Sequence, residues 1–440
     1  MEEKRNIRKL ALTLLSEYEN MGKYVNLSLS SHKADGLDRE ERAFLTSLLY
    51  TAVEHKLTYD YYIAAIAGRS IDKIDPMTKN ILRLGLCQLL DMRGIPQHAA
   101  VNETVKLCRN KGERGFVNGI LRAADRKRDD LPLPDRKKNN LRYLSVYYSF
   151  PLWIVKRFSA LYGEEGCEAL LKSLSEISPT DLTLNTEKIS RADYILRLSE
   201  LGIKAEPSPY SESSVRITGS VSPTSLPLFD EGGFFVQDAA CAAAVGALSP
   251  ERDNRVIDVC ACPGGKSFAA ALLMKNVGEI YSFDIHESKL SLIEDSAIRL
   301  GITVVKTGER DARVPDGALL GTADRVICDV PCSGLGVLAK KPDLRYKSED
   351  GIDDLPALQY EILSASAKYL KVGGRLMYST CTLLKEENEG VFDRFLREKE
   401  DYGSVDFGIG GERSEGGRFT FKPHIHNTDG FFVGILERIK

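Results

Sequence analysis

The sequence predicts a multidomain protein in three parts: an all-α N-terminal part, a small α+β middle part, and an α/β C-terminal part on a parallel sheet. Three observations carry this. The chain has 440 residues, too many for one hydrophobic core. Apolar residues recur at helical spacing through the first 125 positions. From residue 254 short apolar runs alternate with helical stretches, the pattern of a parallel sheet.

Taken in order, Ile7, Leu10, Ala11, Leu14 and Leu15 share one helical face, and Leu45, Leu48, Leu49, Ala52 and Val53 another. Pro76 opens a helix carrying Ile81, Leu82, Leu84, Leu86, Leu89 and Leu90, and Gly94-Ile95-Pro96 breaks it. Val101, Val105 and Cys108 mark the next. Residues 126–141 are charged, hold Pro132 and Pro134, and read as a linker. Pro151 to Leu174 reads as a helix, Asp181 to Asn185 as a short strand, and 190–201 as a helix. Gly233 to Asp238 is strand-like and leads into an Ala-rich helix at 239–248. Strands are then expected at Arg255–Val259, Glu279–Asp284, Val304-Val305, Arg325–Asp329, Arg375–Ser379, 418–421 and 430–436. Helices are expected at 267–275, 286–300 and 355–370. The domains are thus 1–135, 142–245 and 246–440.

Hydrophobic content of 43% and charge content of 28% are those of an ordinary globular protein. No run of about 18 apolar residues exists, so no membrane span is expected. The N-terminal Met1-Glu2-Glu3-Lys4-Arg5 lacks a secretory apolar stretch. Nine cysteines without disulfide-like spacing read as reduced thiols, hence a cytoplasmic protein. The net charge of −3 excludes a uniformly basic nucleic-acid binder. It is uneven: residues 1–140 hold 25 Lys+Arg against 19 Asp+Glu, or +6, which leaves −9 for the remainder. Lys106, Arg109, Lys111, Arg114, Arg122, Arg126, Lys127, Arg128, Arg136, Lys137 and Lys138 supply much of the excess, a stripe suited to a phosphate backbone. A solvated helix end with a charged linker is the plain alternative.

In open α/β sheets ligands bind beyond the strand C-termini. Asp258 to Lys266, containing Cys260-Ala261-Cys262-Pro263-Gly264-Gly265, joins a strand to a helix there. Glycines admit close backbone approach and the helix N-terminus favours polar groups. A P-loop would need glycine at Cys260, and the dinucleotide G-x-G-x-x-G is absent. S-adenosylmethionine remains, with Asp284 placed for ribose hydroxyls and Asp311 for adenine. A tight turn without ligand is the alternative.

Cys332 and Cys381 follow the fourth and fifth strands of this part, so neighbouring strands would bring both thiols into one pocket. Methylation at C5 of a pyrimidine needs such an arrangement. That carbon becomes nucleophilic only after a thiolate adds to C6. Asp329 is the candidate to stabilise charge near N3, and Cys332 could take the C5 proton. A cytosine in a stem must also be extruded. Cys87, Cys108, Cys167, Cys241 and Cys328 read as core. Cys260, Cys262, Cys328, Cys332 and Cys381 could instead hold zinc, but they lack paired C-x-x-C knuckles.

Cys260-Ala-Cys-Pro-Gly-Gly-Lys266, Asp329-Val-Pro-Cys-Ser-Gly334, Tyr378-Ser-Thr-Cys-Thr382 and Thr428-Asp-Gly-Phe-Phe432 resemble the successive motifs of the RNA cytosine-C5 methyltransferases of the Nol/Nop/Sun superfamily. Asp75-Pro76 to Leu90, Pro96 to Asn102 and Gly115 to Leu121 resemble a NusB-like RNA-binding domain. The combination resembles the Sun/Fmu branch and covers nearly the whole chain. The fold so implied is a NusB-like all-α domain, a small α+β domain and a Rossmann-like class I methyltransferase domain.

The resemblance implies S-adenosylmethionine held by Cys260, Ala261, Cys262, Pro263, Gly264, Gly265 and Lys266 with Asp284, Asp311 and Asp329. It implies Cys381 as nucleophile and Cys332 as the residue needed for product release. The implied substrate is a cytosine in small-subunit ribosomal RNA. No metal, DNA or membrane partner is expected, and the chain is expected to act as a monomer. Transfer RNA as substrate, or a non-catalytic RNA-binding or antitermination role, are the alternatives. Three positions depart from the family pattern: Cys262 stands for Ala, Thr183-Leu184-Asn185 for Arg-Val-Asn, and Lys340-Lys341 for the Arg before Pro342-Asp343.

Overall fold

The computed structural model describes residues 6–21, 25, 29, 36–219 and 221–440. Its contacts divide into two compact units. One comprises the chain up to Ser175 with Lys341–Lys347, and the other Glu176–Lys340 with Ser348–Lys440. The division at Ser175 falls after the helix Leu152–Ser173, whereas the composition-based boundary at 142 precedes it.

The first unit is helical, as the spacing predicts: Ile7–Met21, Arg39–Glu54, Lys56–Ala67, Pro76–Leu90, Gln97–Val105, Lys111–Arg126, Asn140–Tyr147 and Leu152–Ser173. Pro76–Leu90 is its axis. Asp75 caps it by accepting the Thr78 N–H, Pro76 sits where a missing N–H costs nothing, and its residues from Asn80 to Leu89 are buried. Gly85 lies under Leu121, so any side chain there would collide with the helix Lys111–Arg126. Leu152–Ser173, expected as one helix, is kinked at Gly163, where φ is +71°. The segment Lys341–Lys347 packs within this unit although it is remote in sequence. Asp343 accepts the Val25 N–H at 3.1 Å. The fully buried Arg345 donates to the Leu174 carbonyl at 2.8 Å, pairs with Glu54 at 3.2 Å and stacks on Phe150.

The second unit holds two principal sheets. Strands β1 (Thr180–Leu184), β2 (Ala205–Pro207), β3 (Ser214–Ile217) and β4 (Phe234–Val236) form an antiparallel sheet in the order β2-β3-β1-β4. The large sheet contains β5 (Arg255–Asp258), β6 (Glu279–Asp284), β7 (Val305–Glu309), β8 (Ala323–Asp329), β9 (Leu370–Thr380) and β10 (Tyr402–Ser404). After the small hairpin of β11 (Gly408–Ile409) and β12 (Glu412–Arg413), it is completed by β13 (Arg418–Phe421) and β14 (Phe431–Arg438). Its order is β10-β14-β9-β8-β5-β6-β7, with β13 also on β14.

The expected parallel sheet holds for β5 to β9 and fails at one edge, where β14 runs antiparallel to β9, and β10 and β13 antiparallel to β14. Only residues 422–430 separate β13 from β14, fewer than the dozen or so a parallel crossover needs. Val256, Ile280, Ile327, Met377 and Val433 cross the strands in one buried layer; Ile257, Val326, Cys328, Leu376 and Tyr378 form another. With both layers apolar, strand-end polar residues are displayed at one edge.

Candidate active site

β8 and β9 are parallel neighbours, with Cys328 opposite Tyr378 and Asp329 opposite Ser379. The loops that follow them start side by side. Their Cys332 and Cys381 sulfurs lie 3.3 Å apart, and the Ser333 and Thr382 hydroxyls are bonded at 2.6 Å. The Gly336 N–H donates to the Cys381 carbonyl at 2.9 Å. Cys332 is held well above the usual thiol range, first by the hydrogen bond with Cys381 and then by burial. Cys328, by contrast, lies wholly within the core.

Asp329 is shared between two donors. Lys266 Nζ lies 2.5 Å from its Oδ2, and Ser379 Oγ donates to its Oδ1 at 2.7 Å. Burial works against the Lys266 charge, but Asp329 outweighs it and holds the ammonium protonated above its ordinary range. The ammonium also lies 5.3 Å from the Phe431 ring centre. Phe431 arrives there because Gly430 and Gly336 touch backbone to backbone, with the Gly430 N–H on the Gly336 carbonyl at 2.8 Å; a Cβ on either would collide.

The loop 260–266 connects β5 to the helix Gly265–Leu273. Gly264 has φ +105°, and a Cβ there would run into the Phe268 ring. The Ala261 N–H bonds the Phe283 carbonyl at 2.8 Å, which ties the loop to the end of β6. Asp284, at that end, accepts the N–H groups of Cys262 at 3.3 Å and His286 at 3.0 Å. Burial raises the Cys260 and Cys262 thiols. Asp311 lies just past β7, where Arg313 clamps its carboxylate at 2.6 Å and holds it below the usual range. Of the residues singled out from sequence, Cys332 and Cys381 meet directly, as do Lys266 and Asp329, and Cys262 and Asp284. Asp311 is engaged elsewhere.

Two features escaped the sequence reading. Asp258, at the end of β5, accepts Ser267 Oγ at 2.7 Å, while its Oδ1 is buried without a partner among the described residues. Burial pushes its carboxyl up to about 7. An acid closing the strand before the glycine loop was the available signal. The second is a trio: Lys340 Nζ lies 2.6 Å from Asp238 and 3.0 Å from Asp429. Burial and the Asp238 charge push Asp429 up to about 7, whereas Lys340 overcomes burial and holds Asp238 below the usual range. These three lie too far apart in sequence for a motif to join them.

Across 99% of its length the chain is 34% identical to the probable ribosomal RNA small subunit methyltransferase B of Bacillus subtilis strain 168, of which it also covers 99%. The chain belongs to the ribosomal RNA small subunit methyltransferase B family. Residues 245–437 match the family described as 16S rRNA methyltransferase RsmB/F, residues 5–126 the NusB family, and residues 150–224 the ferredoxin-like domain of the RsmF/B-like methyltransferases. The crystal structure of PH0851 matches with TM-score 0.81 and 27% identity, covering 100% of both chains. That of NSun6 from Pyrococcus horikoshii with SFG, an S-adenosylmethionine analogue, matches with TM-score 0.58 and 25% identity over 66% of this chain and 99% of the other. The family member described here is thus a Rossmann-like methyltransferase, with S-adenosylmethionine as its cofactor, joined to NusB-like and ferredoxin-like parts.

Proposed function

We propose that this chain transfers a methyl group from S-adenosylmethionine to C5 of one cytosine in small-subunit ribosomal RNA, through a covalent bond between Cys381 and C6. The observation that carries the reading is the pair of thiols 3.3 Å apart at the ends of neighbouring parallel strands, beside the Lys266–Asp329 pair. One thiol serves many enzymes; two side by side suit a reaction that must both make and break a carbon–sulfur bond.

The residues suit the cofactor. The left-handed turn at Gly264 starts the helix Gly265–Leu273 just after β5, Asp258 has a buried oxygen without a partner among the described residues, and Asp284 closes β6, where such folds hold a ribose. Cys260 to Lys266 with Asp284, Asp311 and Asp329 would hold it, Asp311 after releasing Arg313. When bound, S-adenosylmethionine supplies an electrophilic methyl. Cys381 adds as thiolate to C6 and moves the ring electrons toward C5, which then takes the methyl. Cys332, as thiolate, takes the C5 proton, which restores the double bond and expels Cys381 as thiolate. Asp329 accepts from Lys266 and Ser379, so it meets the base as an acceptor; the positive charge against N3 and the carbonyl comes from Lys266. A cytosine can reach the thiols only if it is flipped from its helix.

In this reading a helical RNA-binding part over 1–135 and a small α+β part over 142–245 present RNA to the catalytic part over 246–440. Among the described residues no helix is long and apolar enough to cross a membrane. Incubation with small-subunit ribosomal RNA and labelled cofactor, followed by bisulfite sequencing, tests it. One newly protected cytosine is expected. Protection in transfer RNA alone would keep the chemistry and refute the substrate, and methyl transfer without a protected cytosine would refute C5.

A further inference from the structure

The loops that carry the two thiols are joined by a carboxylate with no part in the steps above. Glu387 is 1% exposed. Its Oε2 accepts the N–H of Ser333, the residue after Cys332, at 2.9 Å, and the side-chain amide of Gln359 at 2.8 Å. The same amide nitrogen donates to the Pro331 carbonyl at 3.0 Å, so the carboxylate is tied to both flanks of Cys332, to Ser333 directly and to Pro331 through Gln359. Tyr378 fixes the Glu387 backbone by donating to its carbonyl at 2.6 Å. Glu387 Oε1 is buried and has no hydrogen-bond partner among the described residues.

Two thiols 3.3 Å apart in a partly buried pocket cannot both ionise readily, because the second charge would form against the first. Their mutual geometry is symmetric and does not choose between them; the choice must come from the groups held against one of them. Besides Cys381, the acidic groups facing Cys332 are Glu387 and Asp329. Asp329 is compensated by the ammonium of Lys266. Glu387 is held by a peptide N–H and an amide, both neutral, so its charge stands against the Cys332 side of the pair.

We propose that Glu387 is a positioning residue that sets the order of the two thiols: it keeps Cys332 neutral, so that Cys381 is the sulfur that ionises and attacks. This rests on the nucleophile assignment of the proposed function and supplies its physical cause. Once Cys381 is bonded to C6 its own charge is gone. The restraint it exerts on Cys332 then lifts, so Cys332 can release its thiol proton to solvent and, as thiolate, take the proton that C5 must lose.

Carbamidomethylation by iodoacetamide, read residue by residue by mass spectrometry without RNA, tests the assignment. In the unaltered protein, titrated from about pH 6 to about pH 10, Cys381 should be alkylated at lower pH than Cys332. In Cys381→Ser, Cys332 should react slowly at about pH 8; adding Glu387→Gln should speed it at least about tenfold. An unchanged rate in the folded double variant overturns the role of Glu387. So does Cys332 reacting first in the unaltered protein, a result that needs no variant to fold. The nucleophile assignment is judged separately, by which cysteine variant still forms an RNA adduct.

Discussion

The ammonium of Lys266 lies 2.5 Å from Asp329 Oδ2, and this pair joins the glycine loop after β5 to the loop after β8. In the proposed function one charge pair therefore serves both the cofactor side and the thiol side of the site. Replacing Lys266 by Met leaves a carboxylate without its cation where the base would sit. Methyl transfer should fall on the order of 100-fold or more. Single-turnover transfer of labelled methyl to RNA measures it, and a variant within a few-fold of the unaltered rate would remove Lys266 from the mechanism.

The thiol pair predicts two different failures. Cys381→Ala should abolish methyl transfer while S-adenosylmethionine still binds, as calorimetry would read. Cys332→Ala should still attack but stall before release, so a protein–RNA adduct should accumulate on a denaturing gel. Adduct formation by the Cys381 variant instead would reverse the two roles.

Asp258 and Asp429 predict a pH dependence of stability. Each carboxyl is pushed up to about 7 by burial, so each binds its proton more tightly folded than unfolded. Their contribution is complete below the ordinary carboxyl range near 4 and is lost as pH rises through about 7. Thermal stability should therefore decline from about pH 4 to about pH 7, by up to about 1.4 kcal/mol per pH unit for each group, and level off above about pH 8. Asp429→Asn should flatten that decline in calorimetric scans. A slope identical to that of the unaltered protein would show that Asp429 is not titrating there.

On the helix Lys111–Arg126, the exposed Lys111, Arg114, Arg122 and Arg126 share one face, opposite the buried Val117, Ile120, Leu121 and Ala124. Arg128 is different: it donates to the Leu89 carbonyl at 2.5 Å and so belongs to the end of another helix. Neutralising Lys111, Arg114 and Arg126 to Gln should weaken RNA binding and lower its salt slope by about 2. Filter binding over a salt series decides, and an unchanged slope would leave this face merely solvated.

Much of the site was legible because its residues sit in short motifs at strand ends. Cys332 and Cys381 each follow an apolar run, and Asp284 ends another, so the α/β pattern alone places them on one edge. The antiparallel β14 was not legible as such, since an apolar strand gives the same signal in either direction. Glu387 was hidden for another reason: an acid in the polar stretch after β9 reads as exposed until Ser333 and Gln359 are seen to close over it.

By itself the sequence determined the helical first part, the strand–helix alternation of the last, and the two cysteines with their glycine loop. Period, turn chemistry and spacing are local properties, written in consecutive residues. Only the tertiary structure decided the 3.3 Å approach of the sulfurs, the pairing of Lys266 with Asp329 rather than with a nearer acid, and the seating of Arg345 among helices some 170 or more positions earlier. Those depend on which strands become neighbours and on which buried charges find partners, and both are settled by packing the whole chain at once.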